Sequence, residues 1–152
     1  MGQGSSPEAV LQIRPFQLAD EDAVISLWRQ CGLLRPWNDP HKDIRRKLTV
    51  QPEMFLVGLL DGRIVAVVMA GYEGHRGWLN YLAVDPEYQR HGLARTIVAE
   101  AECRLRALGC PKIHLQIRTS NTAVMEFYRR LGYSTDDCVS MGKRLERDDL
   151  QP

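Results

Sequence analysis

The apolar positions along this chain change period several times, and each change marks an element. Leu11–Phe16 predicts a first strand, and Asp20 opens a helix whose apolar face carries Val24, Leu27 and Trp28 before Gly32 ends it. Asp39-Pro40 has the form of an N-cap followed by proline at the first helical position, ahead of a short basic helix over Asp43–Leu48. Met54–Leu60 is an apolar run, Asp61-Gly62 a tight hairpin turn, and Ile64–Ala70 the returning strand. A second turn, "GYEGHRG", leads into Trp78–Val84. The period then becomes helical: Leu93, Ile97, Val98, Ala101, Leu105 and Leu108 share one face until Gly109. Ile113–Ile117 alternates as a strand does. Asn121 opens a further helix with Val124, Phe127 and Leu131 inward, closed by Gly132. Tyr133 onward and Val139–Leu145 read as two closing strands. The expectation is an α/β (α+β) domain: a mixed, mostly antiparallel sheet of about six to seven strands flanked by about four helices.

Length and composition narrow this picture. The 152 residues suit one domain with one core, placed at 11–152, behind a small, polar lead-in at 1–10 that is expected to be disordered. Gly2 followed by Ser6 fits a myristoylation pattern formally, but the segment is read as a floppy start. A formal net charge of +1 gives no bulk attraction to nucleic acid or a membrane surface, so any anion site must be local. Cys31, Cys103, Cys110 and Cys138 form no CxxC pair and have no histidine at zinc-like spacing. They read as free thiols in a reducing, cytoplasmic setting, with no metal. No apolar run approaches the ~18 residues of a membrane span.

The chemistry concentrates in "YLAVDPEYQRHGLARTIVAEAE", residues 81–102. An apolar strand ends at Asp85-Pro86 and a helix begins near Gly92. About four backbone N–H groups at a helix start have no internal partner, and the helix dipole adds positive potential there. Small residues at Gly92 and Ala94, with Arg90, His91 and Arg95 around them, suit a diphosphate cradle. A plain strand-to-helix turn with solvated arginines explains the same residues. The loop has neither the Lys-Ser/Thr of a nucleotide P-loop nor a GxGxxG.

"VDPEYQRHGLA" resembles the signature of the GNAT superfamily of N-acetyltransferases, Q/R-x-x-G-x-G/A opening a helix, with Gln89, Gly92 and Ala94 in the defining places. "NTAVMEFYRRLGY" resembles the later helix of that superfamily, with Asn121 at its start, Tyr128 inside and Gly132-Tyr133 at its end. The order of elements agrees from Leu11 to Leu145, and "LRPWNDP" with the "GHRG" turn is similar to the YpeA-type bacterial subgroup.

The resemblance implies acetyl-CoA as donor and a primary amine as acceptor, either a small molecule or a peptide N-terminus. It implies direct attack in a ternary complex. Leu82, Ala83 and Val84 would face the thioester and pantetheine arm, and the backbone from Gln89 through Arg90, His91, Gly92, Leu93, Ala94 and Arg95 would hold the diphosphate. Asn121 would touch the pantetheine region, or simply cap its helix. Tyr128 would protonate the departing sulfur; as a plain core residue it would share a face with Val124 and Leu131. For the base, Glu73 leads, ahead of His75, Asp39 and Tyr81. Arg35, Trp37, Asn38 and Tyr81 are expected on the acceptor side, while His41 and His114, lacking an evident partner, read as structural or exposed. A homodimer remains open, and so does a non-catalytic acyl-CoA-binding module or a nucleotide-binding protein of another class.

Overall fold

The protein is described as a computed structural model over residues 10–149. The anticipated lead-in at 1–10 falls, but for Val10, outside the described residues.

Five strands form one sheet in the order β1-β2-β3-β4-β5: β1 Gln12–Pro15, β2 Phe55–Leu60, β3 Arg63–Tyr72, β4 Gly77–Val84 and β5 Ile113–Leu115. The first four pair antiparallel and β5 joins β4 in parallel. Four α-helices flank them: α1 Glu21–Gln30, α2 Pro40–Leu48, α3 Leu93–Ala107 and α4 Thr122–Arg130. Class and helix number agree with the expectation, but the sheet is smaller. The stretch after Tyr133 forms no strand among the described residues. Val139, Met141 and Leu145 are 85%, 92% and 91% exposed, so their alternation has no buried face to point at. α2 also begins at Pro40, three residues before the expected start, because Asp39 accepts the His41 and Lys42 amides as a true N-cap.

The sheet divides the core in two. Leu56, Val68, Ala70 and Leu79 pack with Ile97, Val98, Ala101 and Leu105 of α3 and with Tyr128 of α4. Phe55, Val57, Val67 and Ala83 pack on the other face with Val24, Leu27 and Trp28 of α1 and Ile44 of α2. Gly77 packs against Leu105 near the end of α3 and Cys110 just beyond it. A Cβ there would lie 2.7 Å from Cys110 Sγ, so no larger residue fits without moving the helix end.

Two irregularities position the site. First, β5 pairs with β4 only over Gly77–Leu79, leaving the β4 edge from Asn80 to Val84 without a strand on that side. Second, the β3–β4 register shifts by one residue between Val67↔Ala83 and Met69↔Asn80, which places a bulge in β4. Tyr81 sits at the bulge with φ of 56°, a left-handed conformation that costs a bulky residue roughly 1–2 kcal/mol. Its ring stacks on Trp28 with centroids 4.0 Å apart, and its hydroxyl donates to Asp43 Oδ2 at 2.5 Å. These two contacts hold the strained backbone in place.

Candidate active site

The opened β4 edge leads directly into the start of α3. A short 3₁₀ turn over Pro86–Tyr88 connects them, anchored by buried Asp85, which accepts the Glu87 amide at 3.0 Å and Arg63 Nη2 at 3.3 Å. Arg90 and Gly92 both adopt left-handed φ, 71° and 76°. Alternating backbone of this kind points successive N–H groups the same way. Among the described residues, no backbone or side-chain acceptor meets the amides from Gln89 to Arg95, and the first amide to be satisfied is Thr96, which bonds Gly92 O at 3.0 Å. A row of free amides at a helix N-terminus, with exposed Arg90, His91 and Arg95 around it, can bind a diphosphate. Gly92 has a different importance from the one its size suggests. A Cβ there would meet no protein atom, so glycine is required by the left-handed turn. Gln89 contributes more than backbone, since its side-chain amide donates to Val84 O at 3.2 Å.

Tyr128 belongs to the same core cluster as Leu79 and Val84 of β4, 5% exposed, edge-on to Phe127 at 5.0 Å and to Tyr133 at 5.3 Å. Its hydroxyl has no hydrogen-bond partner among the described residues and is not fully buried. Burial, and secondarily the charge of Glu102, push its pKa above the ordinary phenol value. Glu102 itself accepts from Tyr133 at 2.9 Å.

Other sequence candidates are placed as follows. Asn121 caps α4, its side chain accepting the Val124 amide at 3.2 Å. Glu73 lies in the exposed β3–β4 turn, accepting the amides of Arg76 and His75, which hold its pKa below the usual carboxylate range. That turn is at least three residues, ~10 Å, along the ladder from the bulge. Arg35 donates to Gly32 O and Leu34 O, closing the end of α1. Trp37 is 44% exposed under the Arg118 guanidinium. His41 and His114 do have partners, Glu21 and Asp136, each at 3.0 Å.

Asn38 and Tyr81 do come together, in an open cavity of about 510 Å³ on the α2 face of the bulge, with Asp43, Arg46, Lys47 and Asn80. The segment after Tyr133 borders this region. Gln116 Nε2 donates to Ser140 Oγ, Arg144 donates to Asn38 Oδ1 at 2.6 Å, and Asp148 receives Arg46 at 2.7 and 3.0 Å and the Asp39 amide at 3.1 Å. Arg46 first, with the Asp39 amide, holds the Asp148 carboxylate well below the usual range. Sequence reading missed Lys47, Arg46 and Asp148; a basic helix and an acidic tail are too ordinary to suggest a pocket.

Among the described residues, no cluster of three or more His, Cys, Asp or Glu could hold a metal ion, and no helix is long and apolar enough to cross a membrane. The four cysteines are free thiols.

Residues 21–133 match the model of the acetyltransferase (GNAT) family. An acetyltransferase of Pectobacterium atrosepticum is 50% identical over 138 residues, covering 91% of this chain and 98% of that protein. Ard1 from Thermoplasma volcanium shares the fold with a TM-score of 0.72, at 21% identity over 82% of each chain. So does AAC(6′)-Iy, solved in complex with the bisubstrate analogue CoA-S-monomethyl-acetylneamine, with a TM-score of 0.74 and 16% identity over 90% of this chain and 99% of that one. The match over most of the chain, together with half-identity to a relative spanned almost end to end, makes this protein a member of the GNAT acetyltransferase family.

Proposed function

We propose that this protein moves the acetyl group of acetyl-CoA to a primary amine by direct attack in a ternary complex. The observation that carries the reading is the row of free amides from Gln89 to Arg95, set at the end of a strand edge that β5 leaves open. A coenzyme with a diphosphate and an amide-bearing arm matches both. The amides take the diphosphate, with Arg90 and Arg95 adding mobile charge. The arm lies along the β4 edge from Leu82 to Val84, pairing as an added strand would. The Leu82 N–H faces the thioester oxygen, where one such donor is typically worth about 10²–10³ in rate. Holding thioester and amine together removes much of the entropic barrier.

Tyr128 serves the leaving sulfur. An ordinary thiol titrates near 8.5 and an ordinary tyrosine near 10, so complete proton transfer is uphill by ~2 kcal/mol, and burial makes it more so. Tyr128 therefore acts as a neutral hydrogen-bond donor that stabilises the departing thiolate. For the amine proton, Glu73 is poorly suited, since its lowered pKa and turn bonds make it a turn staple and a weak base; the proton passes to water in the open cleft, and the departing thiolate is protonated from solvent in turn.

Tyr128→Phe tests the reading. Transfer to an amine panel is expected to fall about 10- to 100-fold in kcat, with acetyl-CoA affinity by calorimetry unchanged. Undiminished turnover would remove Tyr128 from the chemistry. Acetyl-CoA binding with no turnover by the native protein on any amine would favour a non-catalytic acyl-CoA-binding module.

A further inference from the structure

We propose that the acceptor is an amine that also bears a carboxylate, and that Lys47 pairs with that carboxylate. The inference rests on the transfer reading above and names the substrate class of the same site.

The cavity beside the bulge is lined by both signs of charge, but most of that charge is already matched. Arg46 is engaged by Asp148 at 2.7 Å, Glu146 at 3.1 Å and Asp43 at 3.2 Å. Asp43 uses its other oxygen for the Tyr81 hydroxyl. Lys47 is the exception. It is partly buried and makes no ion pair or side-chain hydrogen bond among the described residues. Its side chain lies over the sheet, with Nζ 3.3 Å from where a Cβ on Gly71 would be, so a larger residue at 71 would press on the ammonium. Burial lowers its pKa, and Glu53 opposes that only at longer range. A cation taken partly out of water without a counter-ion, in the wall of a cavity, favours an anionic ligand.

The geometry sets the size of that ligand. Gly71 stands opposite Trp78 and Met69 opposite Asn80, so the strand position beneath the Lys47 ammonium is two ladder places, ~7 Å, from the bulge. The reacting amine belongs at the bulge, beside the opened β4 edge. A charge-assisted bond of ~2.8 Å from Lys47 leaves ~4 Å between amine and carboxylate. An amino acid with one or two carbons between the two groups spans that distance. Asn38 and Asn80 supply neutral hydrogen bonds along the way.

The test uses the full chain with matched acceptors: a short amino acid, its carboxamide, the corresponding decarboxylated amine and an aminoalkyl phosphate. Expected is a kcat/KM at least ~30-fold higher for the amino acid than for the amide or the decarboxylated amine. Lys47→Met, which keeps the apolar stem, is expected to reduce that ratio to ~3 or less, and Lys47→Arg to retain part of it. Acetyl-CoA calorimetry on each variant reports that it is folded. Equal rates across the panel, or a ratio that survives Lys47→Met, overturn the inference and leave the transfer reading standing. Preference for the phosphate overturns the carboxylate assignment. Failure to acetylate any acceptor, with acetyl-CoA still bound, overturns both.

Discussion

The two sides of the β4 bulge are built from different materials. On the α3 side the site is backbone: free amides from Gln89 to Arg95 and an unpaired strand edge. On the α2 side it is side chains: Asp43, Arg46 and Lys47 from one helix, Tyr81 and Asn80 from the strand, and Asp148 from a segment that crosses back over α2. Backbone groups are the same whatever the residue, provided the turn conformation is kept. A site made of them binds one invariant group and tolerates substitution around it. A site made of side chains is rewritten by each substitution, so it is where an acceptor can be chosen. One protein can thus keep a family's coenzyme while differing in what it modifies.

Gly92→Val should strain that contrast most. The left-handed φ of 76° is poorly accessible to a β-branched residue, at a cost of at least ~1–2 kcal/mol. Acetyl-CoA binding is expected to weaken about 30-fold or more by calorimetry, the upper end of that cost. Lys47→Met should leave the same measurement unmoved; a matching loss would mean the two sides are not separable.

Arg46→Ala comes next, on the other side. It deletes the main partner of Asp148, so amide exchange over residues 144–149 should accelerate and the acceptor KM should change by about 10-fold. Acetyl-CoA affinity is expected to stay within twofold. Unchanged exchange would show that the crossing segment is held by its other contacts, Arg144 to Asn38 among them.

Arg90→Gln is expected to weaken acetyl-CoA only about 2- to 5-fold, and less at 0.5 M salt, because in the proposed cradle an exposed arginine only adds screened charge to the amides. A loss beyond 50-fold would make the arginines, and not the backbone, the cradle. The smallest effect is reserved for Glu73→Gln, expected to hold kcat within twofold across pH 6–9. A loss of 100-fold or more would identify Glu73 as the base.

Much of the frame was legible beforehand. The meander, helices α1, α3 and α4 and the loop that opens α3 followed from period and turn residues, whereas Tyr128 was singled out only by the resemblance. Leu93, Ile97, Val98, Ala101 and Leu105 are all buried as their spacing requires, but Leu108, expected on the same face, lies past the last turn of α3 and is 48% exposed. The error after Tyr133 has a clear origin: Val139, Met141 and Leu145 alternate like a strand, but alternation is a local property and a strand needs a neighbour. The acceptor candidates divided for the same reason. Asn38 and Tyr81 reach the cavity, while Arg35 and Trp37, close by in sequence, are turned to the end of α1 and to Arg118.

What the sequence determined by itself is therefore whatever depends on neighbours within a few positions: helix starts, turns, the glycine that permits a left-handed step, and the amides such a step exposes. What only the tertiary structure decided is which distant charges meet. Arg46 finds Asp148 across 102 positions, Tyr81 finds Asp43 across 38, and Lys47 makes no ion pair among the described residues once those pairs have formed. Ion pairing is long-ranged along the chain but short-ranged in space, so no spacing rule in the sequence can anticipate which cation will remain over.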